Sequence, residues 1–192
     1  MLNSLSGRFL IVTTVFVMLA EVLIFVPSVA RFRADYLNDR LERAQIASLA
    51  LLADDMIDPD LERELLANAG VYNVALQRNA ARELMLSSPV PGQVSHSFDL
   101  REAGPVTLIH DALRRLLDPE PRTIRVLGYP SREAGQLIEV TMDSAPLRNA
   151  MLEYGLRVFL LSAVISVITA LLLFLAVRRL LVKPIKRVVG QM

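Results

Sequence analysis

One carboxylate and a set of three hydroxyls inside two apolar runs are the first candidates for chemistry. Glu21 interrupts the run Phe9 to Ala30, and Ser162, Ser166 and Thr169 recur at i, i+4, i+7 within Val158 to Val177. A carboxylate in hydrocarbon costs several kcal/mol unless it is protonated, wetted or hydrogen-bonded, so Glu21 demands a partner or a place near the interface. Counted about nine residues in from the outer end of each run, Glu21 stands level with Ser166, and hydroxyls hydrogen-bond across packed apolar helices. The spacing predicts a polar clasp between two helices. A protonated or wetted carboxyl is the alternative.

A second set is acidic. Asp54, Asp55, Asp58, Asp60, Glu62 and Glu64 fall close together with Arg63 as the one base among them, and carboxylate oxygens suit a divalent cation. The same residues also read as the start of a helix, with Asp58 as N-cap, Pro59 at N1, and Asp60 and Glu62 near the positive end of the dipole. A third set is His96, Arg125 and Tyr129, a possible ligand pocket built on strands, although partly solvated sheet faces carry such residues too.

Other chemistry is absent. The chain has no cysteine and two histidines, which excludes disulfides and thiolate catalysis and leaves a poor zinc ligand set. It carries no glycine-rich phosphate loop, no G-x-S-x-G and no H-E-x-x-H, so neither catalytic residues nor a bound cofactor are expected within it.

These residues must be positioned by elements that the hydropathy pattern defines. With 53 % hydrophobic residues, the chain is too apolar for an ordinary soluble domain. Val158 to Val177 is uncharged, and at ~1.5 Å per residue it is long enough for a ~30 Å hydrocarbon core. Arg178, Arg179, Lys183, Lys186 and Arg187 follow, the pattern of a cytoplasmic flank. Ser28-Val29-Ala30 has the small-x-small form of a cleavage site, but the preceding run exceeds the ~7 to 15 residues of a signal-peptide core, which favours an uncleaved anchor. Two spans with a cytoplasmic C-terminus place the N-terminus in the cytoplasm too. Residues 1–8 are then a leader, 9–30 the first span, 31–155 an extracytoplasmic domain, 156–177 the second span, and 178–192 a cytoplasmic start of something longer. The middle segment holds 14 Arg/Lys against 19 Asp/Glu, while the ends hold seven cations and one carboxylate. Cations gathered beside spans, on either side of an acidic domain, exclude a nucleic-acid partner and fit a lipid bilayer.

From Arg31 the pattern remains helical, and Ala34, Leu37, Leu41, Ala44, Ser48 and Leu51 step by 3 and 4 as a heptad seam. Ile46, Leu49, Ala50 and Ala53 form a second apolar face. One face is expected to pair with a second protomer and the other to pack on the chain's own domain; a single amphipathic helix with a wide core face explains the pattern equally well. Alternation then predicts strands at Val71–Gln77, Arg82–Ser87, Val94–Leu100, Thr123–Tyr129 and Gln136–Met142. Arg78-Asn79-Ala80-Ala81 reads as a turn. A helix from Pro105 to Leu117 is expected to point Val106, Ile109, Leu113, Leu116 and Leu117 inward, and a last helix runs from Ala145 into the second span.

This order is similar to that of extracytoplasmic PAS-like sensor domains, and the resemblance implies an α+β fold with two transmembrane helices flanking a five-stranded antiparallel sheet on a long membrane-emergent helix. Beyond the second span, Arg178-Arg179-Leu180-Leu181-Val182-Lys183-Pro184-Ile185 resembles the opening of a HAMP linker, with Leu181, Ile185, Val188 and Met192 as the apolar seam of its first helix. Its connector and second helix are missing. Together these features make the chain resemble the truncated N-terminal input half of a bacterial membrane sensor histidine kinase. The resemblance implies an inner-membrane homodimer, signal coupling through Pro184 and Ile185, an unknown extracytoplasmic stimulus, and a response regulator and ATP-binding kinase core beyond this chain. Chemoreceptor and cyclase input regions share the layout, and a membrane-anchored structural or partner-binding protein is the reading from another class. His110-Asp111 superficially resembles the phospho-acceptor pair of those kinases, but Arg115 stands where the family has proline, so it is not read as a phosphorylation site.

Overall fold

The computed structural model describes residues 5–53, 58–78, 81–130 and 135–177. In chain order the elements are α1 (Leu5–Ala53), α2 (Pro59–Ala69), β1 (Asn73–Arg78), β2 (Ala81–Ser87), β3 (His96–Asp99), α3 (Pro105–Leu117), β4 (Thr123–Gly128), β5 (Leu137–Asp143) and α4 (Ser144–Val177). They fall into two compact units, Met1–Phe25 with Gly155–Met192, and Val26–Tyr154. The expected HAMP residues Pro184 and Ile185, the carboxylates Asp54 and Asp55, and the turn residues Asn79 and Ala80 lie outside the described residues.

The first unit is made of parts of α1 and α4, the two helices long and apolar enough to cross a membrane. Phe16 and Leu23 are each 73 % exposed there, an arrangement that water penalises and hydrocarbon does not. α1 continues through Pro27 without interruption.

The second unit is mixed α and β, with one sheet of strand order β2-β1-β5-β4-β3. β1 pairs antiparallel with β2 and β5, and β4 pairs antiparallel with β5. β3 runs parallel to β4, in the register His96 to Ile124 and Phe98 to Val126. The sheet is therefore mixed, which corrects the all-antiparallel sheet expected from the sequence. The reason is the connection: β3 and β4 are joined across the whole of α3, and a crossover of a dozen or more residues lets neighbouring strands run parallel, whereas a tight turn forces them antiparallel.

Register assigns the faces. Phe98, Val126, Val140, Val74 and Leu86 form one row across all five strands, with Ile124 beside Met142 and Leu76 beside Ile138 on the same side. Val126, Val140, Val74 and Leu86 are buried, as are Leu66 of α2, Ala112 of α3, and Leu147 and Met151 of α4.

α1 supplies its heptad seam to this core. Leu37 is fully buried at 0 % exposure, and Leu41, Ala44 and Ser48 are buried with it. A Cβ on Gly128 would meet Leu41 Cδ1, so a larger residue there would make the Leu41 side chain of α1 shift. Ile46 is 62 % exposed, and Leu49 is exposed beside it. The seam thus packs on the chain's own sheet, and the second apolar face is the open one. The side chains of Ala50, Leu51 and Ala53 lie outside those the structure describes.

α3 is rotated from its sequence expectation. Val106, Leu113 and Leu117 are exposed, Ile109 and Leu116 of the expected face are half-buried with Leu108 and Asp111, and Ala112 and Arg115 are buried. Counting apolar residues misplaces part of the inward stripe here, because that stripe also carries charges that find partners outside α3.

Candidate functional site

α1 and α4 meet through polar and aromatic contacts, one of them between residues that the sequence singles out. Among the described residues of the first unit, Thr13, Val17, Ala20, Glu21 and Phe25 of α1, and Val158, Ser162, Ala163 and Ser166 of α4, are the half-buried positions. Steps of three and four put each set on one helix face. Within this stripe the Ser166 hydroxyl donates to Glu21 Oε1. Glu21 and Ser166, level with each other by residue count, are thus hydrogen-bonded. Ser162 lies on the same stripe, one turn away. Thr169 does not join: it is exposed, and its hydroxyl donates back to the Ile165 carbonyl at 2.8 Å, the local bond that Ser and Thr make inside helices.

In the second unit the same two helices are joined by aromatic contacts. Ser28, Phe32, Tyr36 and Arg40 follow one another at four-residue steps on α1, which stacks them along one face. Tyr154 of α4 meets this face: its hydroxyl lies 2.7 Å from Ser28 Oγ, and its ring stacks on Phe32 at 4.3 Å between centroids with 10° between planes. Further along, Arg40 Nη2 donates to the Tyr36 hydroxyl at 2.9 Å, and Nη1 donates to the Ala69 carbonyl at 2.9 Å. Arg40 so caps the C-terminus of α2, where an orphan carbonyl needs a donor. Gly70 makes room for it with φ at 70°, and a Cβ there would strike the guanidinium.

The remaining predicted residues are dispersed. Asp58 is the N-cap of α2, its Oδ1 accepting from Asp60 N at 3.1 Å. Asp60 pairs with Arg63, and Glu62 Oε1 accepts from Ser87 N at 2.8 Å. Glu64 is exposed, and no metal-competent cluster of His, Cys, Asp or Glu occurs among the described residues. His96 pairs with Ile124, whereas Arg125 pairs with Ser97 and Thr141. Alternation therefore puts His96 on the core face beside Phe98 and Arg125 on the opposite face. Arg125 Nε sits 2.9 Å from Glu139 Oε1, and Tyr129 is exposed with the Arg101 guanidinium 5.8 Å from its ring centre. His96 does not share a pocket with Arg125 and Tyr129.

The sequence reading identifies none of the buried charges, of which Arg33 is the least exposed among the described residues. Arg33 of α1 is 1 % exposed, with its guanidinium 4.4 Å from the Phe98 ring centre and Nη1 3.8 Å from Asp111 Oδ2. Burial pushes its proton affinity down; Asp111 opposes this, and the nearby charge of Arg115 adds to it. Arg115 is also pushed down, first by burial, and donates through both Nη atoms to the Glu120 carbonyl at 3.1 Å. The only sequence signal is position: Arg33 stands four residues before Leu37, on the helix side that Leu37 and Leu41 share. No family model, curated protein or solved structure matches the chain.

Proposed function

We propose that the chain receives a signal in its mixed α and β unit and passes it across a membrane through α1 and α4, as the input half of a sensor histidine kinase would. In this reading α1 and α4 span the bacterial inner membrane, both termini are cytoplasmic, and the sheet unit is a PAS-like sensor outside. The active form is a homodimer. Its output runs through a HAMP-type helix containing Pro184 and Ile185 to a cytoplasmic kinase core that binds ATP and serves a response regulator.

One observation carries the proposal: α1 and α4, the two apolar helices that bracket the sheet unit in sequence, are hydrogen-bonded to each other through Glu21 and Ser166. A passive anchor gains nothing from a carboxyl in an apolar stretch, whereas a helix pair with a specific polar contact can hold two arrangements of different energy. A stimulus then shifts their populations by its differential affinity for the two. Interhelical hydrogen bonds in hydrocarbon average about 0.6 kcal/mol and reach about 1.7 kcal/mol, enough to move such an equilibrium by roughly three- to twentyfold.

The test joins residues 1–192 in frame to the cytoplasmic core of a HAMP-containing kinase and measures autophosphorylation in membrane vesicles. Ser166→Ala and Glu21→Gln should each shift the basal kinase activity by roughly three- to tenfold with unchanged membrane insertion. Basal activity untouched by either substitution would leave a membrane-anchored partner-binding protein as the better account.

A further inference from the structure

We infer that Arg33 forms part of a binding site for a chloride-sized monoanion at the junction of α1, β3 and α3. The inference stands apart from the signalling proposal and begins with hydrogen-bond demand. A guanidinium carries five N–H donors, all in its plane. Arg33 is 1 % exposed, and none of its three nitrogens makes a hydrogen bond among the described residues.

Its two neighbours do not meet that demand. The Phe98 ring, 4.4 Å from the guanidinium carbon, interacts with the cation through the ring's π face, and such a contact supplies no in-plane acceptor for the N–H edges. Asp111 Oδ2, at 3.8 Å from Nη1, contributes charge attraction but lies beyond hydrogen-bonding distance. Its other oxygen is shared, at 3.6 Å, with His110 Nδ1. Buried donors without acceptors are rare in folded proteins, and an unseen ion or water is a usual cause.

Charge favours an anion over water. Arg33 senses a second guanidinium, Arg115, whose own Nε is likewise buried and unbonded. Asp118 and Asp143 act on Arg115, which Arg148 and Arg122 also repel, so the acids around Arg115 are already offset there. The net direction on Arg33 is downward even with Asp111 in place, the mark of a cation whose carboxylate does not compensate its burial. A spherical monoanion accepts from several in-plane donors at once, and the depth of Arg33 selects for small size.

The experiment melts the full chain in detergent micelles, followed by circular dichroism, as chloride replaces gluconate at fixed ionic strength. A ligand that binds only the folded state raises Tm, and the expected rise is about 5 °C. Arg33→Met, which keeps the apolar stem and removes every donor, should abolish the rise. Asp111→Asn removes the competing carboxylate and should enlarge it, which keeps the test decisive if Arg33→Met fails to fold. A wild-type Tm indifferent to chloride would overturn the site and assign the donors to buried water. A rise that survives in Arg33→Met, or one that Asp111→Asn leaves equal or smaller, would overturn it as well.

Discussion

Single residues in this chain act through the hydrogen bonds their neighbours leave open. Asp99 shows this at the end of β3: Oδ1 accepts from the Arg101 backbone N–H at 3.0 Å and from Nε at 2.9 Å, and Oδ2 accepts from Nη2 at 2.6 Å. The Arg101 side chain, first among these causes, holds the carboxyl below its ordinary value. A depressed carboxyl stabilises the fold above its unfolded value of about 3.9 and loses that contribution as pH falls through the folded value. Arg101→Gln should therefore move the Asp99 titration midpoint upward in a carboxyl-carbon NMR titration. An unmoved midpoint would assign the effect to the Arg101 backbone N–H instead. Some residue roles were legible beforehand. Asp58 before Pro59 reads as a cap, and Glu21 level with Ser166 reads as a clasp, because both depend on local spacing and helical rise. Thr169 fits the same spacing but does not join, since the carbonyl four residues back satisfies its hydroxyl.

At the scale of elements, α1 shows how far periodicity reaches. A stripe at 3 and 4 spacing states that a helix has an apolar face, and Leu37, Leu41 and Ala44 are that face. Periodicity does not state whether the face meets a sheet or another helix. Leu37→Ala should destabilise the fold by about 3 kcal/mol, the cost of a buried cavity, whereas Ile46→Ala should change it by less than about 0.5 kcal/mol, as exposed substitutions do. Urea unfolding of the full chain in micelles separates the two, and equal costs would place Ile46 in the core. The rotation of α3 has the same origin: its buried stripe includes Ala112 and Arg115, and an arginine can be inside when a carbonyl such as that of Glu120 accepts from it.

For the molecule as a whole, the proposed homodimer has to use surface that the sheet has not already taken. Ile46 and Leu49 are exposed on α1, and the chain holds no native cysteine to confuse a cross-linking experiment. A single cysteine at Leu49 should give a disulfide-linked dimer in oxidised native membranes, while one at Leu37 should stay monomeric because its side chain is enclosed by its own domain. Dimer at Leu37 with none at Leu49 would mean that α1 faces its partner with the seam instead. The open depression of about 440 Å³ beside His110, Leu113 and Leu117 on the outer face of α3 is a second free surface, and it has no assigned partner.

Hydropathy and turn chemistry were enough to locate two apolar helices, five strands and the N-cap of α2, because each depends on residues within one or two turns of one another. Assembly of the fold settled the rest: the parallel pairing of β3 with β4, the separation of His96 from Arg125 on opposite sheet faces, the inward face of α1, and the burial of Arg33. Each of these depends on partners distant in the chain. A side chain's own polarity says what environment it prefers, whereas its actual environment is set by which distant groups can meet its hydrogen bonds and charge.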